Sequence, residues 1–442
     1  MGFLDQVKKI QSLGSDSSRL HEDEVALLSF LFEGNLMGRA LEGIRVIDLS
    51  HVLAGPVATM LLADLGAEVI HIEPPQGDDA REFGPFAGEP GKNRSGYFIS
   101  LNRNKASMVL DLSREKGKKI LRDLIGVSDV LVENYRPTTM KKLGFPWDEI
   151  QRINLRIIYA SVCGFGHDSL PGYDSRPSYD MVAQGYSGIM SITGPEGGPP
   201  CRVGSSVGDI IAGHQTVIGI LAALMHREKT GRGQHYDGSM IDGLFAVLEN
   251  AVVRYTISGE IPELLGSRHP SVVPFECFRT KDSWIIAAIG NDALWVEFCR
   301  VIYRQELIED PRFKTNPLRT KNVKELIPIL ASEFLKRTTK EWSDMFEGAG
   351  LPYTPINNIR EICEDPHIQY RNMLVEIEQS IVGKVRIPGS SIRLSETPGE
   401  VYAPAPFLGQ HSEEVLKHIL GYPQEEIDQL KREGVIKAET QH

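Results

Sequence analysis

In the first half of the chain, short unbroken apolar runs alternate with stretches in which apolar residues recur every three or four positions. Gly43-Ile44-Arg45-Val46-Ile47-Asp48-Leu49 reads as a buried strand. Ala54-Gly55-Pro56 opens a helix carrying Met60, Leu61, Leu62 and Leu65 to Gly66, and Glu68-Val69-Ile70-His71-Ile72-Glu73 reads as a second strand. A strand, a glycine turn, a helix and a strand within about thirty residues make a βαβ unit of a parallel sheet. The alternation continues through a strand over 107–112, a helix over 114–125 and strands over 129–134 and 156–162. This pattern predicts an α/β fold with a Rossmann-like, doubly wound parallel sheet.

Farther along, Trp284-Ile285-Ile286-Ala287-Ala288-Ile289 reads as a strand, followed by helices near 292–302, 322–336 and 339–348. Pro352, Pro355, Asp365 and Pro366 mark the exit from that region. After 370 come Val382-Gly383-Lys384-Val385, a proline-rich crossing at Ala403-Pro404-Ala405-Pro406 and a helix over 412–420. The expected division is a helical extension over 1–40, a large Rossmann-like domain over 41–235, a linker over 236–264, a smaller α+β domain over 265–365, and a C-terminal return to the large domain over 366–442.

The longest helical pattern begins at Val207-Gly208-Asp209-Ile210. Ile210, Ile211, Val217, Ile218, Leu221, Leu224 and Met225 recur at helical spacing, and Gly213, Gly219, Ala222 and Ala223 leave room for close packing. The basic run from His226 to Lys229 suits a helix C-terminus, which Gly231 and Gly233 close. Asp209 falls in the first turn, where free backbone N–H groups and the positive end of the helix favour an ionised, oriented carboxylate. Such a group serves as an N-cap or as a nucleophile, and the local sequence leaves both open.

With 442 residues, 41% hydrophobic and 24% charged, the chain suits a soluble globular protein with two domains. Gly213, His214, Gln215 and Thr216 interrupt even the 210–225 stretch, so no run is expected to reach the roughly 18–20 apolar residues of a membrane span. Gln6 stands where a myristoylation signal requires Ser or Thr. Asp5, Asp16, Glu22, Asp23 and Glu24 argue against a mitochondrial transit peptide, so the cytoplasm is the expected compartment. Cys163, Cys201, Cys277, Cys299 and Cys363 are widely spaced and read as free, mostly buried thiols; no metal site is expected. The net charge of −11 argues against nucleic acid and membranes as partners. No glycine-rich dinucleotide or P-loop motif is present, so nucleotide chemistry has no support despite the sheet pattern.

The motifs Leu41-Glu42-Gly43-Ile44-Arg45-Val46-Ile47-Asp48-Leu49, His51-Val52-Leu53-Ala54-Gly55-Pro56, Asp64-Leu65-Gly66-Ala67-Glu68-Val69-Ile70, Asn102-Arg103-Asn104-Lys105, Val132-Glu133-Asn134-Tyr135, Gly208-Asp209 and Lys229-Thr230-Gly231-Arg232-Gly233-Gln234 follow one another in this order. Together they resemble the class III CoA-transferases, which include formyl-CoA, carnitine and succinyl-CoA dependent enzymes. The resemblance runs from about 41 to the C-terminus, where Leu408-Gly409-Gln410-His411 is also family-like; residues 1–40 lie outside it.

The resemblance implies that Asp209 is the nucleophile. It would attack an acyl-CoA to give an acyl-aspartyl anhydride, from which returning CoA thiolate forms an aspartyl-CoA thioester. It also implies CoA-lining positions at Leu53, Ala54, Leu110, Asp111, Ser113, Asn134, Tyr135, Arg136, Lys142, Tyr179 and Asp180. Pro74 stands where relatives place a basic residue for the adenosine phosphate, which makes Arg81 or Arg136 the expected substitute. CoA thioesters are expected as substrates, with no permanently bound cofactor. An interlocked dimer is expected, either of this chain or with a related subunit as in benzylsuccinate CoA-transferases.

The related α-methylacyl-CoA racemases carry His where this chain has Tyr179, thirty residues before Asp209. A phenol of pKa about 10 is a poor acid/base group, so transfer is expected over racemisation. Gly266-Ser267-Arg268-His269-Pro270 and Pro355-Ile356-Asn357-Asn358 look most like the succinyl-CoA dependent branch, including the succinate–hydroxymethylglutarate transferases. The expected acceptor is a dicarboxylate such as a substituted succinate, malate, citramalate, glutarate or hydroxymethylglutarate. A distal carboxylate needs a cation, for which Arg176, Arg268, His269 and Arg202 are candidates.

Overall fold

The computed structural model describes residues 38–91 and 93–437, so the extension expected over 1–40 lies almost wholly outside the described residues. Six parallel strands, β1 (Arg45–Asp48), β2 (Glu68–Glu73), β3 (Ala106–Leu110), β4 (Val130–Glu133), β5 (Ile158–Cys163) and β6 (His235–Ser239), form the main sheet. Farther along, β7 (Phe275–Arg279), β8 (Trp284–Ala288) and β9 (Tyr353–Pro355) form an antiparallel sheet, and β10 (Leu374–Gln379) pairs with β11 (Gly383–Pro388) as a hairpin. The final strand, β12 (Ile436–Lys437), returns antiparallel to β3, so the main sheet runs β12-β3-β2-β1-β4-β5-β6.

Alternation along the strands sends side chains to both faces, and both faces are covered. On one face Val46, Val69, Val130, Val132 and Ile158 pack with the Ala54–Asp64 and Val207–Thr230 helices. On the other, Ile47, Ile70, Leu131 and Tyr159 pack with Ile120, Leu121 and Leu124 of the Glu115–Gly126 helix. This is the doubly wound arrangement expected from the apolar runs. The β7–β9 sheet has its own cluster around Trp295, Phe298, Phe334, Trp342 and Phe346.

Several elements differ from the expectation. The stretch read as a linker over 236–264 contains nearly all of β6 and the Met240–Ala246 and Glu249–Ser258 helices. The polar strand His-Tyr-Asp-Gly-Ser lacks an apolar run because it is the sheet edge, and edge strands tolerate polar residues. The 412–420 helix divides into a Ser412–Glu414 turn and a wider Val415–Ile419 turn. Of the five free cysteines only Cys299 is buried, and Cys201 is exposed.

The Val207–Thr230 helix is long and apolar enough, at a mean hydropathy of 1.5, to cross a membrane by length and composition. The four residues expected to interrupt it are outweighed by the aliphatic residues around them. In the fold it is the crossover between β5 and β6, packed against the Ala54–Asp64 helix and closed by Gly231 at φ 72°. The crossing near 400 docks on Asn104, whose Oδ1 accepts the N–H groups of Tyr402 (2.9 Å) and Ala403 (2.8 Å).

Candidate active site

The order of the main sheet reverses between β1 and β4, whose carboxyl ends diverge into the crevice where doubly wound sheets take ligands. After β1, Val52 adopts φ 64° and its N–H is held by both Asp78 oxygens at 3.1 and 3.2 Å. After β4, Asn134 clasps His51: its Oδ1 accepts the His51 N–H (2.9 Å) and its Nδ2 donates to the His51 carbonyl (2.7 Å). The Tyr135 ring leans on His51 with centroids 5.6 Å apart. A cavity of about 190 Å³ opens here, lined by residues that include Ser50, His51, His71, Gln76, Asp78 and Tyr135.

A buried charge network supports the crevice. Asp48 accepts hydrogen bonds from Ser50, from Thr59 (2.6 Å) and from Lys105 Nζ (3.1 Å), and lies 3.2 Å from His71 Nδ1. Burial works to raise the Asp48 pKa, but Lys105 and His71 hold it well below the carboxylate range. Arg103 grips Asp64 with two bonds of 3.0 and 2.7 Å, so the Asn-Arg-Asn-Lys motif fastens the core rather than a ligand.

Arg81, expected as a substitute for the phosphate cation, is fully buried and forms two bonds of 2.7 Å to Glu73. Its donors are taken up by a carboxylate it cannot leave without exposing a buried charge, which removes it from that role. Arg136 is exposed and its guanidinium has no partner among the described residues.

The Val207–Thr230 helix joins two parallel strands and so runs antiparallel to them, which brings its first turn to the edge where β1 and β4 end. Gly213 allows the close approach: a Cβ there would lie 2.9 Å from the Ala54 carbonyl and 2.8 Å from Val57. Asp209 is the third residue of this helix. The N-cap, Ser206, makes no side-chain cap; Asp180 supplies it, its Oδ1 accepting the Gly208 N–H at 2.8 Å while Oδ2 accepts from Gln184 at 2.7 Å. Asp209 is thereby relieved of capping, and its carboxylate has no hydrogen-bond or ion-pair partner among the described residues.

Burial, and secondarily Asp180, push the Asp209 pKa up to about 7. This corrects the expectation that the helix end keeps Asp209 ionised: desolvation and a neighbouring carboxylate outweigh the partial charge of a helix terminus. Tyr97, on the short Gly96–Asn102 helix, has its phenol raised to about 12 by burial, then by Asp209, Asp78 and Asp180. No sequence motif marks Tyr97.

The other expected residues fall as follows. Leu53 and Ala54 are buried at the start of the Ala54–Asp64 helix. Leu110 lies in the hydrophobic core, so its side chain is not a lining surface. Asp111 accepts from Ser113 and pairs with Arg114 at 2.9 Å in the turn after β3. Lys142 is exposed on Thr139–Leu143, without an ion-pair partner among the described residues. Tyr179 is 76% exposed at the N-cap of Asp180–Ser187.

Arg176 lies over the Tyr173 ring at 4.0 Å. Arg202 sits 3.8 Å from Asp180 Oδ2 and donates to the Gly204 carbonyl, one carboxylate removed from the Asp209 turn. Arg268 pairs with Glu196 at 3.1 Å, and His269 Nδ1 accepts the Ser271 N–H at 3.0 Å. Among the described residues no group of three or more His, Cys, Asp or Glu side chains is arranged to hold a metal.

The chain matches the family model described as CoA-transferase family III over residues 41–412, and it belongs to that family. It is therefore a transferase acting on CoA thioesters. It is 39% identical over 406 residues to the succinyl-CoA:glutarate CoA-transferase of Homo sapiens, covering 91% of each chain. It is 41% identical over 357 residues to the acetyl-CoA:oxalate CoA-transferase of Acetobacter aceti, covering 80% of this chain and 89% of the other. Among solved structures, a CAIB/BAIF family protein from Brucella suis superposes with a TM-score of 0.76 at 33% identity, over 85% of this chain and 98% of that one.

Proposed function

We propose that the protein moves CoA from succinyl-CoA to a dicarboxylate acceptor such as glutarate, through covalent intermediates on Asp209. The observation that carries this reading is a carboxylate without a partner, raised to about 7, in the first turn of the crossover helix at the ligand-binding edge of the sheet. The ionised Asp209 attacks the thioester carbonyl, forming a mixed anhydride and releasing CoA thiolate. The thiolate attacks the aspartyl carbonyl of the anhydride, forming an aspartyl-CoA thioester and releasing succinate. The acceptor carboxylate then attacks that thioester, forming a second anhydride and releasing CoA thiolate, which attacks the acceptor carbonyl of that anhydride to give acyl-CoA and free Asp209.

CoA lies across the switch-point crevice, with the Asn134–Arg136 segment beside it and Arg136 or Lys142 meeting phosphate. Arg202 is the first choice for the distal carboxylate, because it reaches the Asp209 turn through Asp180. Arg176, Arg268 and His269 stand behind it. The name of the human relative supports the succinyl donor and glutarate acceptor; that of the Acetobacter relative makes acetyl-CoA and oxalate the comparison pair. Tyr179, exposed at a helix N-cap, gives no support to an isomerase.

The domain division at 265 and 365 and an interlocked dimer complete the reading. Ile218 (66% exposed) and Met225 (67%), seven residues apart on the crossover helix, support a partner that covers this apolar surface. Five free thiols support a reducing compartment, and cytoplasm is proposed.

The test is a panel of carboxylates offered to succinyl-CoA and acetyl-CoA, read by mass spectrometry, with hydroxylamine trapping during turnover. Succinyl-CoA with a dicarboxylate should dominate, and a hydroxamate should appear at Asp209. Turnover without a trapped Asp209 adduct, retained in Asp209→Ala, would sink the covalent reading.

A further inference from the structure

On the face of the main sheet opposite the Asp209 helix lies a second titratable cluster, buried at its centre and exposed at the β6 edge. Glu133 ends β4 fully buried, beside Ser161 of β5, with Tyr159 on the same face and His235 and Asp237 on that face of β6. Glu133 Oε1 accepts the Tyr159 hydroxyl at 2.6 Å and Oε2 accepts the Tyr135 N–H at 2.7 Å. His167 Nε2 stands 3.5 Å from Oε1 and is buried without a hydrogen-bond partner. Asp237 holds the loop above by accepting the N–H groups of His167 and Asp168, both at 2.7 Å. His235 stacks on Tyr159 at 4.7 Å, with its Nε2 2.7 Å from Ser161 Oγ. The titratable groups facing Glu133 are thus Tyr135 beside it, Tyr159 and Cys163 on β5, His167 in the loop, and His235 and Asp237 on β6; no Lys or Arg pairs with it among the described residues.

We propose that Glu133 is a positioning residue for the Asn134–Arg136 segment, so that CoA binding depends on whether Glu133 is ionised or protonated. The proposal rests on the reading that this segment touches CoA. When Glu133 is ionised, the Tyr135 N–H has an anionic acceptor and the segment is fixed by a charge-assisted bond. When Glu133 is protonated, His167 Nε2 is the atom within reach of its proton, and the Tyr135 bond weakens. Burial pushes Glu133 up to about 7 against the Tyr159 and Tyr135 hydrogen bonds, with Asp237 pushing the same way as burial. Burial lowers His167, against Asp237, which works to raise it.

The test is calorimetric binding of CoA to the full-length protein, comparing wild type with Glu133→Gln from about pH 6 to about pH 8.5. The ratio of Kd values should be near one at the acid end and rise roughly three- to tenfold at the alkaline end, since a charge-assisted bond is about twice as strong as a neutral one. Titration of Asp209 and of CoA itself is common to both proteins, so a ratio constant across the range overturns the proposal. Should Glu133→Gln fail to fold, Tyr159→Phe removes one donor from the carboxylate and should move the midpoint of the binding profile to higher pH; an unmoved midpoint overturns it. The double variant Arg136→Ala with Lys142→Ala in the same assay tells two failures apart. A flat ratio with weakened binding in the double variant removes the role of Glu133 alone, and a flat ratio with unchanged binding removes the placement of CoA as well.

Discussion

Asp180 caps the helix that carries Asp209: its Oδ1 accepts the Gly208 N–H at 2.8 Å, one residue before Asp209, and its charge raises the pKa of the Asp209 carboxyl. One carboxylate does the structural work of the helix start, and the other is left without a hydrogen-bonding role. The activity should bear the mark of this arrangement.

The ionised form of Asp209 is the attacking form, and its pKa lies near 7, above the ordinary 3.8. The ionised fraction is therefore nearly complete at alkaline pH and falls as pH drops through that value. The acid limb of kcat/KM should show an apparent pKa near 7, with the rate falling about tenfold per pH unit below it. A limb centred near the ordinary aspartate value would mean that Asp209 is ionised throughout the neutral range.

Asp180→Asn removes the charge but keeps a carbonyl oxygen for Gly208. The acid limb should move to lower pH, because one of the two influences raising Asp209 is gone, while the folding midpoint shifts only modestly. An unchanged pH profile would show that the two carboxylates are not coupled.

Donor choice tests the cation. Wild type should prefer succinyl-CoA over butyryl-CoA, and Arg202→Ala should erode that preference by about ten- to a hundredfold in kcat/KM, the worth of a charged hydrogen bond of about 1.5–3 kcal/mol. Arg176→Ala should leave it largely intact. If the two variants behave in the opposite way, Arg176 holds the distal carboxylate.

In deuterium oxide, a 2-methyl-branched acyl-CoA without acceptor should show no α-deuterium exchange, because position 179 carries a phenol and not an imidazole. Rapid exchange would assign an isomerase activity.

Glu73, which lines the switch-point cavity, and Arg81 give a stability test. Burial alone would raise Glu73, but Arg81 holds it at about 2 against the ordinary 4.5. A depressed carboxyl contributes stability above its unfolded pKa and loses it as pH falls toward the folded value, so that contribution should fade between 4.5 and about 2. Arg81→Met leaves the buried carboxylate unpaired and should cost about 3–5 kcal/mol in urea unfolding at neutral pH. A loss below about 1 kcal/mol would mean that the pair is not closed in solution.

The alternation of apolar runs with helical-period stretches was sufficient for the parallel sheet, because strands buried on both faces and helices with an apolar stripe leave different periods in the chain. The start of the crossover helix and the position of Asp209 in its first turn were legible for the same reason. The polar edge strand β6 was not, since an edge position relaxes the demand for apolar residues, and neither was the β10–β11 hairpin. The protonation of Asp209 could not be read at all: Asp180 lies 29 residues away in sequence, and the desolvation that opposes the helix terminus exists only once the surrounding elements have packed. Arg81 and Glu73, Asn134 and His51, and Glu133 and Tyr159 likewise face one another only after the sheet has assembled. Sequence shows which residues can carry charge or accept a proton; burial and partners, which the fold supplies, set whether they do.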